Sequence, residues 1–268
     1  MRSRQRIQSV VSVVLCRGIY NACVADLKGK SVLITGGARR LGRAIALSMA
    51  QAGANVAFTY LDSVDDANKT LDAIKRIAPK VFAARCDVRK EKSIDRALDA
   101  ILDHFGNLDV LINNAGMFES AKLEEITAEQ WDEVFAVNVR GPFLISKHCI
   151  PILRETSGCI INMGSLGGQK PWSTHAHYCS SKAALHMLTQ VMAKALAPEI
   201  AVNCVAPGMI DTGHGEKDPG LLQRLAAHTP MKKNGSLQDV VSAVMYFATA
   251  PHFITGQILT VDGGLGLR

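Results

Sequence analysis

The stretch TGGARRLGRAIA, residues 35–46, decides how the rest of the chain is interpreted. It follows the apolar, β-branched run SVLIT (31–35), which is typical of a buried strand. It leads into a segment with helical spacing that stops at Gly53. A glycine-rich turn between a strand and a helix brings free N–H groups and the positive end of the helix dipole together, which suits a pyrophosphate. A turn that serves only packing is the alternative.

The strand–turn–helix pattern continues along the chain. Apolar runs that predict further strands lie at 55–60, 81–88, 108–116, 158–165, 201–208 and 256–264. Segments with a helical pattern lie between them at 64–76, 91–104, 131–155, 175–197 and 236–248. Strands that alternate with helices of this length predict a parallel sheet covered on both faces. No linker divides the pattern, so we expect one domain over residues 29–268.

The charge distribution argues against a polyanionic partner. The formal net charge is +6, and residues 1–30 alone carry +5 of it. The remaining body is therefore nearly neutral, and a surface that binds nucleic acid is not indicated. Nothing approaches a run of 18 apolar residues, so no membrane-spanning helix is expected. These observations leave a small-molecule partner as the expectation.

The first 28 residues differ from the rest of the chain. They are rich in arginine and contain no acidic residue before Asp26, which loosely resembles a targeting segment. Their apolar stretch, 10–15, is short and is soon followed by Arg17. We expect a flexible extension of a cytoplasmic protein. Seven cysteines without C-x-x-C spacing predict reduced, mostly buried thiols and no metal site.

Polar motifs follow several of the predicted strands. NNAG (113–116) closes the fourth strand, Asn138 lies in the next helix, and Ser165 follows the fifth strand. Tyr178 and Lys182 are four residues apart on a predicted helix and therefore share one face. In this order and spacing, the chain resembles a classical short-chain dehydrogenase/reductase over residues 29–268. The resemblance implies an α/β fold, a single Rossmann-like doubly wound domain with a seven-stranded parallel sheet flanked by helices.

The resemblance also implies a catalytic tetrad of Asn138, Ser165, Tyr178 and Lys182. Tyr178 resembles the acid that gives a proton to a carbonyl oxygen, and Ser165 donates a hydrogen bond to that oxygen. Lys182 resembles the residue that holds the nicotinamide ribose, and we expect its ammonium to lower the pKa of Tyr178. Asn138 resembles the residue that holds a water in a proton relay. An exposed polar residue is the alternative for Asn138.

A cofactor site follows residue by residue from the same resemblance. Its predicted members are Gly36, Arg39, Arg40, Leu41, Gly42, Tyr60, Ser63, Asp87, Val88, Asn113, Ala115, Gly116, Tyr178, Lys182, Pro207, Gly208, Ile210 and Thr212. Arg40 stands where the family often has a glycine. We expect the loop to tolerate it, because that glycine is not the one at the tightest turn. For Asp87, a cap or turn residue is the alternative to a contact with the adenine.

NADP(H) is the preferred cofactor on this interpretation, and NAD(H) is not excluded. NAD-preferring sites end the second strand with an acid, whereas Tyr60 stands here. Arg39 and Arg40 suit a ribose phosphate. Asp62 would repel that phosphate if it turned inward, and its alternative is a helix cap.

The substrate is less defined. A carbonyl compound, for example a 3-oxoacyl thioester or a related ketone, is the first expectation, and the resemblance implies a homotetramer. The loop arginine also resembles pteridine reductases, and a catalytically silent NADP(H)-binding sensor is a third hypothesis. Residues 213–231 predict a mobile substrate lid with a short helix. His175 and His177 are expected at most at the mouth of the site.

Overall fold

The computed structural model describes residues 26–78, 80–213 and 220–267. The predicted extension, apart from residues 26–28, lies outside the described residues, as do residues 214–219 of the predicted lid. Within the described ranges, no helix has the length and apolar character needed to cross a membrane.

The strands and helices alternate as the sequence pattern predicts. The strands are β1 (Ser31–Ile34), β2 (Asn55–Tyr60), β3 (Val81–Arg85), β4 (Val110–Asn113), β5 (Cys159–Met163), β6 (Ala201–Pro207), β7 (Ile210–Asp211), β8 (Gly235–Ser236) and β9 (Ile258–Val261). The α-helices are α1 (Arg40–Gln51), α2 (Val64–Lys75), α3 (Glu91–Phe105), α4 (Ala128–Phe135), α5 (Gly141–Glu155), α6 (Ala176–Leu196), α7 (Leu221–His228) and α8 (Leu237–Thr249).

Seven of these strands form one parallel sheet in the order β3-β2-β1-β4-β5-β6-β9. The predicted seven-stranded parallel sheet is confirmed. Strands β1, β2 and β3 follow one another toward one edge of the sheet, and β4, β5, β6 and β9 follow one another toward the other edge. The strand order therefore reverses between β1 and β4. In open α/β sheets, ligands bind outside the carboxyl ends of the strands at such a point. The short pair β7–β8 was not predicted.

The core lies in two layers, one on each face of the sheet. Ile45 and Met49 of α1 pack with Phe247 of α8 on one face, and Leu98 of α3 packs with Leu153 of α5 on the other. All five side chains are buried. Burial of each such side chain contributes roughly 1.5–3 kcal/mol. Because helices cover both faces, the strands are mostly apolar, which is why they appear in the sequence as nearly continuous runs.

One predicted helix is wrong in its bounds and continuity. The segment predicted as a helix over 131–155 is two helices, α4 and α5, joined by a π-helical turn at Ala136–Arg140. It also begins earlier, because Thr127 and Gln130 form a reciprocal capping box. The π turn contains Asn138. Turns of this kind are rare and are frequent at functional sites.

Candidate active site

The glycine loop joins β1 to α1 at the carboxyl edge of the sheet. Gly36 has a φ of +65°, which favours glycine. A Cβ on Gly42 would lie 2.2 Å from the Gly36 carbonyl oxygen, so the helix can approach the loop only with glycine there. The Asn114 side-chain amide donates to that same carbonyl oxygen at 3.1 Å. The loop is therefore held in a fixed shape against the end of β4.

The first turn of α1 provides donors for an anion. Its N-cap residue, Arg39, makes no side-chain capping hydrogen bond. The N–H groups of this turn therefore keep their capacity for a ligand, and the helix dipole favours a negative charge. The guanidinium groups of Arg39 and Arg40 are on exposed residues. This set of donors fits a dinucleotide pyrophosphate.

Arg40 occupies a tighter position than the sequence suggested. Its φ is +48°, in the left-handed region. A residue with a Cβ is destabilised there by roughly 1–2 kcal/mol. The loop accommodates the arginine as expected, but at a position whose backbone conformation favours glycine. The arginine is retained at a local cost in backbone energy, which is a pattern typical of a functional position.

The loop lies against the end of β2. The N–H groups of Gly36 and Gly37 donate to Thr59, at 3.3 Å to its hydroxyl and 2.9 Å to its carbonyl. Tyr60 follows directly and is the last residue of β2. Residues that end β2 and residues of the glycine loop therefore share one corner of the carboxyl edge. Binding of the ribose end of the cofactor at this corner stays a prediction.

Asp62 has a different role from the predicted helix cap. The N-cap of α2 is Ser63, which makes no side-chain capping bond. The Asp62 carboxylate instead accepts a 2.9 Å hydrogen bond from Arg85, whose Nε donates to the Leu61 carbonyl. Arg85 ends β3 and pairs in register with Tyr60. No sequence motif predicted a role for Arg85, although a cation that ends the strand next to β2 is the available signal.

The Asp87 carboxylate is already hydrogen-bonded within the chain. It accepts from the Nε and Nη2 of Arg89, at 2.8 and 3.0 Å, and from the Arg89 backbone N–H at 3.1 Å. These hydrogen bonds hold the pKa of the Asp87 carboxyl below its usual value. Arg89 also pairs with Glu133. The turn-residue alternative is confirmed, and a contact with adenine stays a prediction. Val88, the next residue, is buried.

The segment after β4 lies beside the glycine loop. The Ala115 N–H donates to the Thr35 hydroxyl at 2.9 Å, and Ala115 lies so close that a Cβ on Gly36 would be 3.1 Å from its Cα. The Asn113 side chain points inward and donates to Asn162 at 2.9 Å. Its side chain therefore anchors β4 to β5, which leaves only the backbone of this segment for a cofactor.

The four predicted catalytic side chains are brought to one edge of the sheet. Asn138 is fully buried, so the exposed alternative is wrong. Its amide oxygen accepts from the Met117 N–H at 2.8 Å, and its amide nitrogen donates to the Met117 carbonyl at 2.9 Å. The Lys182 Nζ donates to the Met163 carbonyl at 2.8 Å. A Cβ on Gly116 would lie 3.5 Å from the Asn138 oxygen and 3.6 Å from the Lys182 Nζ, so both groups face this glycine.

Tyr178 lies next to Ser165 and near Lys182. Burial raises the pKa of Tyr178, and a side-chain hydrogen bond with Ser165 lowers it in part. The Lys182 Nζ lies 5.8 Å from the centroid of the Tyr178 ring. Burial therefore outweighs the expected lowering of the Tyr178 pKa by Lys182 in this structure. Burial also lowers the pKa of Lys182 to about 8.

A histidine that the sequence analysis did not single out supports Ser165. His186 lies one helical turn after Lys182 on α6, and its Nε2 accepts from the Ser165 backbone N–H at 3.4 Å. Burial, and then the charge of Lys182, lower the pKa of His186 to about 4. The ring is thus neutral at neutral pH and can act as an acceptor. Gly164 and Gly168 pack on the ring, and a Cβ on either would meet it within 2.6 Å.

The predicted carboxamide loop leaves the sheet at the end of β6. Pro207 is the last residue of β6, and the Gly208 N–H donates to the Val261 carbonyl at 2.9 Å. Ile210 lies in β7, opposite Gly235 of β8. Thr212 follows β7 at the end of the described segment. The short helix predicted for the lid is α7.

The two histidines before Tyr178 have different environments. His175 is half-buried beside Tyr178. His177 is completely buried, and neither ring nitrogen has a hydrogen-bond partner. The expectation that His177 lies at the mouth is therefore wrong. Among the described cysteines, all five are free thiols and four are buried, as predicted.

Comparisons with known proteins place the chain in a family. A family model described as enoyl-(acyl carrier protein) reductase matches residues 36–266. The 3-oxoacyl-(acyl-carrier-protein) reductase of Staphylococcus epidermidis is 36% identical over 241 residues, which cover 88% of this chain and 98% of that protein. The 3beta-hydroxysteroid dehydrogenase 1 of Eggerthella lenta is 34% identical over 249 residues, which cover 90% and 95%.

Solved structures agree with this assignment. A dehydrogenase/reductase from Sinorhizobium meliloti superposes with a TM-score of 0.85 at 36% sequence identity, over 91% of this chain and 98% of that one. The chain belongs to the classical short-chain dehydrogenase/reductase family. It is an oxidoreductase that acts on CH–OH or C=O groups, and its family uses NAD(P)(H). The hypothesis of a catalytically silent sensor is therefore wrong.

Proposed function

We propose that this protein is an NADPH-dependent reductase of a small carbonyl compound. The observation that carries the proposal is the placement of the Ser165 side chain beside the Tyr178 hydroxyl, with the buried ammonium of Lys182 near the tyrosine ring. When bound, the nicotinamide supplies the hydride that the carbonyl carbon takes up. The protein supplies the proton, the orientation and the exclusion of water.

The proton comes from the Tyr178 hydroxyl. Because burial raises the pKa of Tyr178, the phenol is protonated at neutral pH and is ready to donate. Ser165 donates a hydrogen bond to the same substrate oxygen as negative charge develops on it. This direction of proton transfer corresponds to reduction of C=O to CH–OH. His186 holds Ser165 in place through the backbone N–H of the serine.

Lys182 and Asn138 are the other two proposed catalytic residues. The pKa of Lys182, about 8, keeps its amine charged at neutral pH, where it can bind the ribose hydroxyls of the cofactor. Asn138 fixes the backbone of Met117 through two hydrogen bonds. A water held near Asn138 and Gly116 would pass a proton from solvent toward Lys182 and Tyr178.

The preference for NADPH follows from charge at the corner where the glycine loop meets β2. Tyr60 has no charge that would repel a ribose phosphate, and Arg39 and Arg40 are exposed cations on the loop. The carboxylate of Asp62 is neutralised by Arg85. Ser63 adds a hydroxyl donor. These features together support binding of the phosphate that distinguishes NADPH from NADH.

A panel of substrates with NADPH and NADH tests the proposal directly. It includes simple ketones, 3-oxoacyl thioesters, which the name of the Staphylococcus epidermidis relative suggests, and dihydropterins for the pteridine alternative. We expect NADPH-dependent reduction of at least one ketone or thioester. If the enzyme reduces only the dihydropterin, its activity is reduction of a ring C=N and not of a carbonyl group. Faster turnover with NADH throughout would contradict the cofactor proposal.

We further propose a homotetramer in the cytoplasm, built from the domain over residues 29–268. Phe143 of α5 and Met187 and Val191 of α6 are exposed apolar side chains. A groove of about 1020 Å³ is lined in part by Phe143 and by Phe135 and Leu188. A second copy of the chain would cover this face through a symmetric contact. Light scattering at micromolar concentration tests the assembly.

A further inference from the structure

Three rings surround the exposed side of Tyr178. The Phe118 ring meets the Tyr178 ring edge-on, with centroids 4.8 Å apart and planes at 89°. The Trp172 ring is nearly parallel to it at 6.1 Å. His175 stacks on Phe118, with centroids 4.8 Å apart. We call Phe118, Trp172 and His175 the aromatic wall. No motif in the sequence predicted it, and the mechanism above does not use it.

The wall is fixed to the catalytic residues from both sides. Met117, just before Phe118, is held by the two hydrogen bonds from Asn138. Three residues after Phe118, the Ala121 N–H donates to the Thr174 carbonyl at 2.9 Å, which joins the two loops that form the wall. The His175 N–H donates to the Trp172 carbonyl at 3.0 Å. The rings are therefore presented in a defined arrangement.

The wall is uncharged, and its outer ring, Phe118, is exposed. Phe118 is 61% exposed, which leaves most of a large apolar ring in water next to the proton donor. Burial, and then the nearby His177, lower the pKa of His175, so its ring is neutral at neutral pH. An exposed aromatic cluster at the proton donor gains free energy when a flat apolar group covers it.

This chemistry discriminates between classes of substrate. A polyol would place hydroxyl groups against ring faces, where most of their hydrogen bonds to water are lost without replacement. A saturated chain gains area burial but no alignment with the rings. A planar unsaturated ring gains both area and the geometry that aromatic pairs prefer.

We propose that the substrate carries its carbonyl on a planar aromatic or conjugated ring, and that this ring packs on Phe118, Trp172 and His175. This inference rests on the proposed carbonyl reduction and specifies its substrate class. Ring packing places the carbonyl oxygen at Tyr178 and Ser165, so the aromatic wall selects the substrate and orients it.

The kinetic test compares two ketones of the same skeleton, acetophenone and cyclohexyl methyl ketone, each with NADPH. We measure the ratio of their kcat/KM values in the wild type and in Phe118→Leu. Because the intrinsic reactivities cancel between proteins, we expect the ratio to fall by about fivefold in the variant, in favour of the saturated ketone. Phe253→Leu is the matched control, since Phe253 is 99% exposed and outside the wall. An unchanged ratio in Phe118→Leu would overturn the inference.

A binding measurement keeps this test independent of turnover. The chain has two tryptophans, so Trp131→Phe leaves Trp172 as the fluorescent reporter. Titration of the NADPH-free protein with acetophenone is expected to quench Trp172 fluorescence, with an affinity about fivefold weaker when Phe118→Leu is added. Equal binding of acetophenone and cyclohexyl methyl ketone in both backgrounds would overturn the aromatic wall as a ring site. Ring binding without reduction of any ketone would instead contradict the proposed function alone.

Discussion

The Arg85 guanidinium donates a 2.9 Å hydrogen bond to the Asp62 carboxylate and thereby connects the end of β3 to the loop after β2. The two residues are 23 positions apart in the chain and meet because β2 and β3 are neighbouring parallel strands. The Asp62 carboxylate lies just after β2, where a negative charge would oppose an NADPH phosphate. If the proposed NADPH site is right, the ion pair with Arg85 offsets this repulsion and contributes to the cofactor preference.

We predict that Arg85→Ala shifts the preference toward NADH. Removal of the guanidinium exposes an unpaired carboxylate near the ribose end, so the ratio of kcat/KM for NADPH over NADH is expected to fall roughly three- to tenfold. Both side chains are more than two-thirds exposed, so the fold tolerates the change. The double variant Asp62→Asn with Arg85→Ala should recover most of the loss. A double variant no better than Arg85→Ala would show that Asp62 is irrelevant.

Arg40 offers a prediction in which stability and cofactor binding move in opposite directions. Glycine relieves the left-handed backbone at φ +48°, so Arg40→Gly should raise the free energy of unfolding by about 0.5–1 kcal/mol. Loss of the guanidinium should at the same time raise the KM for NADPH at least about threefold. Urea denaturation and steady-state kinetics measure the two effects.

Arg39→Gly is the matched control for this prediction. Arg39 has an extended backbone, with φ −148°, so glycine relieves nothing there and only adds freedom to the unfolded chain. We expect this variant to weaken NADPH binding without a gain in stability. Equal changes in stability for the two variants would contradict the role assigned to the Arg40 backbone.

The lowered pKa of Lys182 predicts that the stability of the protein depends on pH. Burial lowers its pKa from the ordinary value of 10.5 to about 8 in the folded protein. Between these values the unfolded chain binds the proton and the folded chain does not, so the free energy of unfolding rises with pH over this window. Lys182→Met removes this contribution. The wild type should gain about 2 kcal/mol relative to the variant between pH 7 and pH 10.

Urea unfolding of both proteins at several pH values provides the measurement. The thiols of Cys149 and Cys159, whose raised pKa values oppose this trend above pH 9, are present in both proteins and cancel in the difference. The thiol of Cys204 is coupled to the charge of Lys182, so Cys204→Ala is added to both proteins. A difference that stays constant from pH 7 to pH 10 would mean that Lys182 titrates normally in the folded chain.

The parts of the site that lie close together in sequence could be predicted. The spacing of Tyr178 and Lys182 places both on one face of α6, because a helix repeats every 3.6 residues. The glycine loop could also be predicted, because a strand, a turn and a helix that follow one another are local patterns in the sequence. The seven-stranded sheet follows from the alternation of apolar runs with helical segments, because helices on both faces require apolar strands.

The parts of the site that depend on contacts between residues far apart in sequence could not be predicted. Phe118 and Trp172 are 54 residues apart, and nothing in either motif shows that their loops share a hydrogen bond. Arg85 contacts Asp62 only because two strands pair in a particular register. The π turn that buries Asn138 depends on local helix geometry that hydrophobic periodicity does not encode. Burial, which raises the pKa of Tyr178, is likewise a property of the packed chain.

Tyr178→Phe tests the central claim most directly, because it removes one hydroxyl and keeps the ring in the aromatic cluster. The claim predicts that kcat for ketone reduction falls about 10²- to 10⁴-fold. The Kd for NADPH, measured by fluorescence titration, should stay within about twofold, since this hydroxyl acts on the substrate. Tyr246→Phe is the matched control, because Tyr246 is half-exposed on α8 and lies outside the proposed site. A Tyr178→Phe enzyme that keeps most of its kcat would contradict the account.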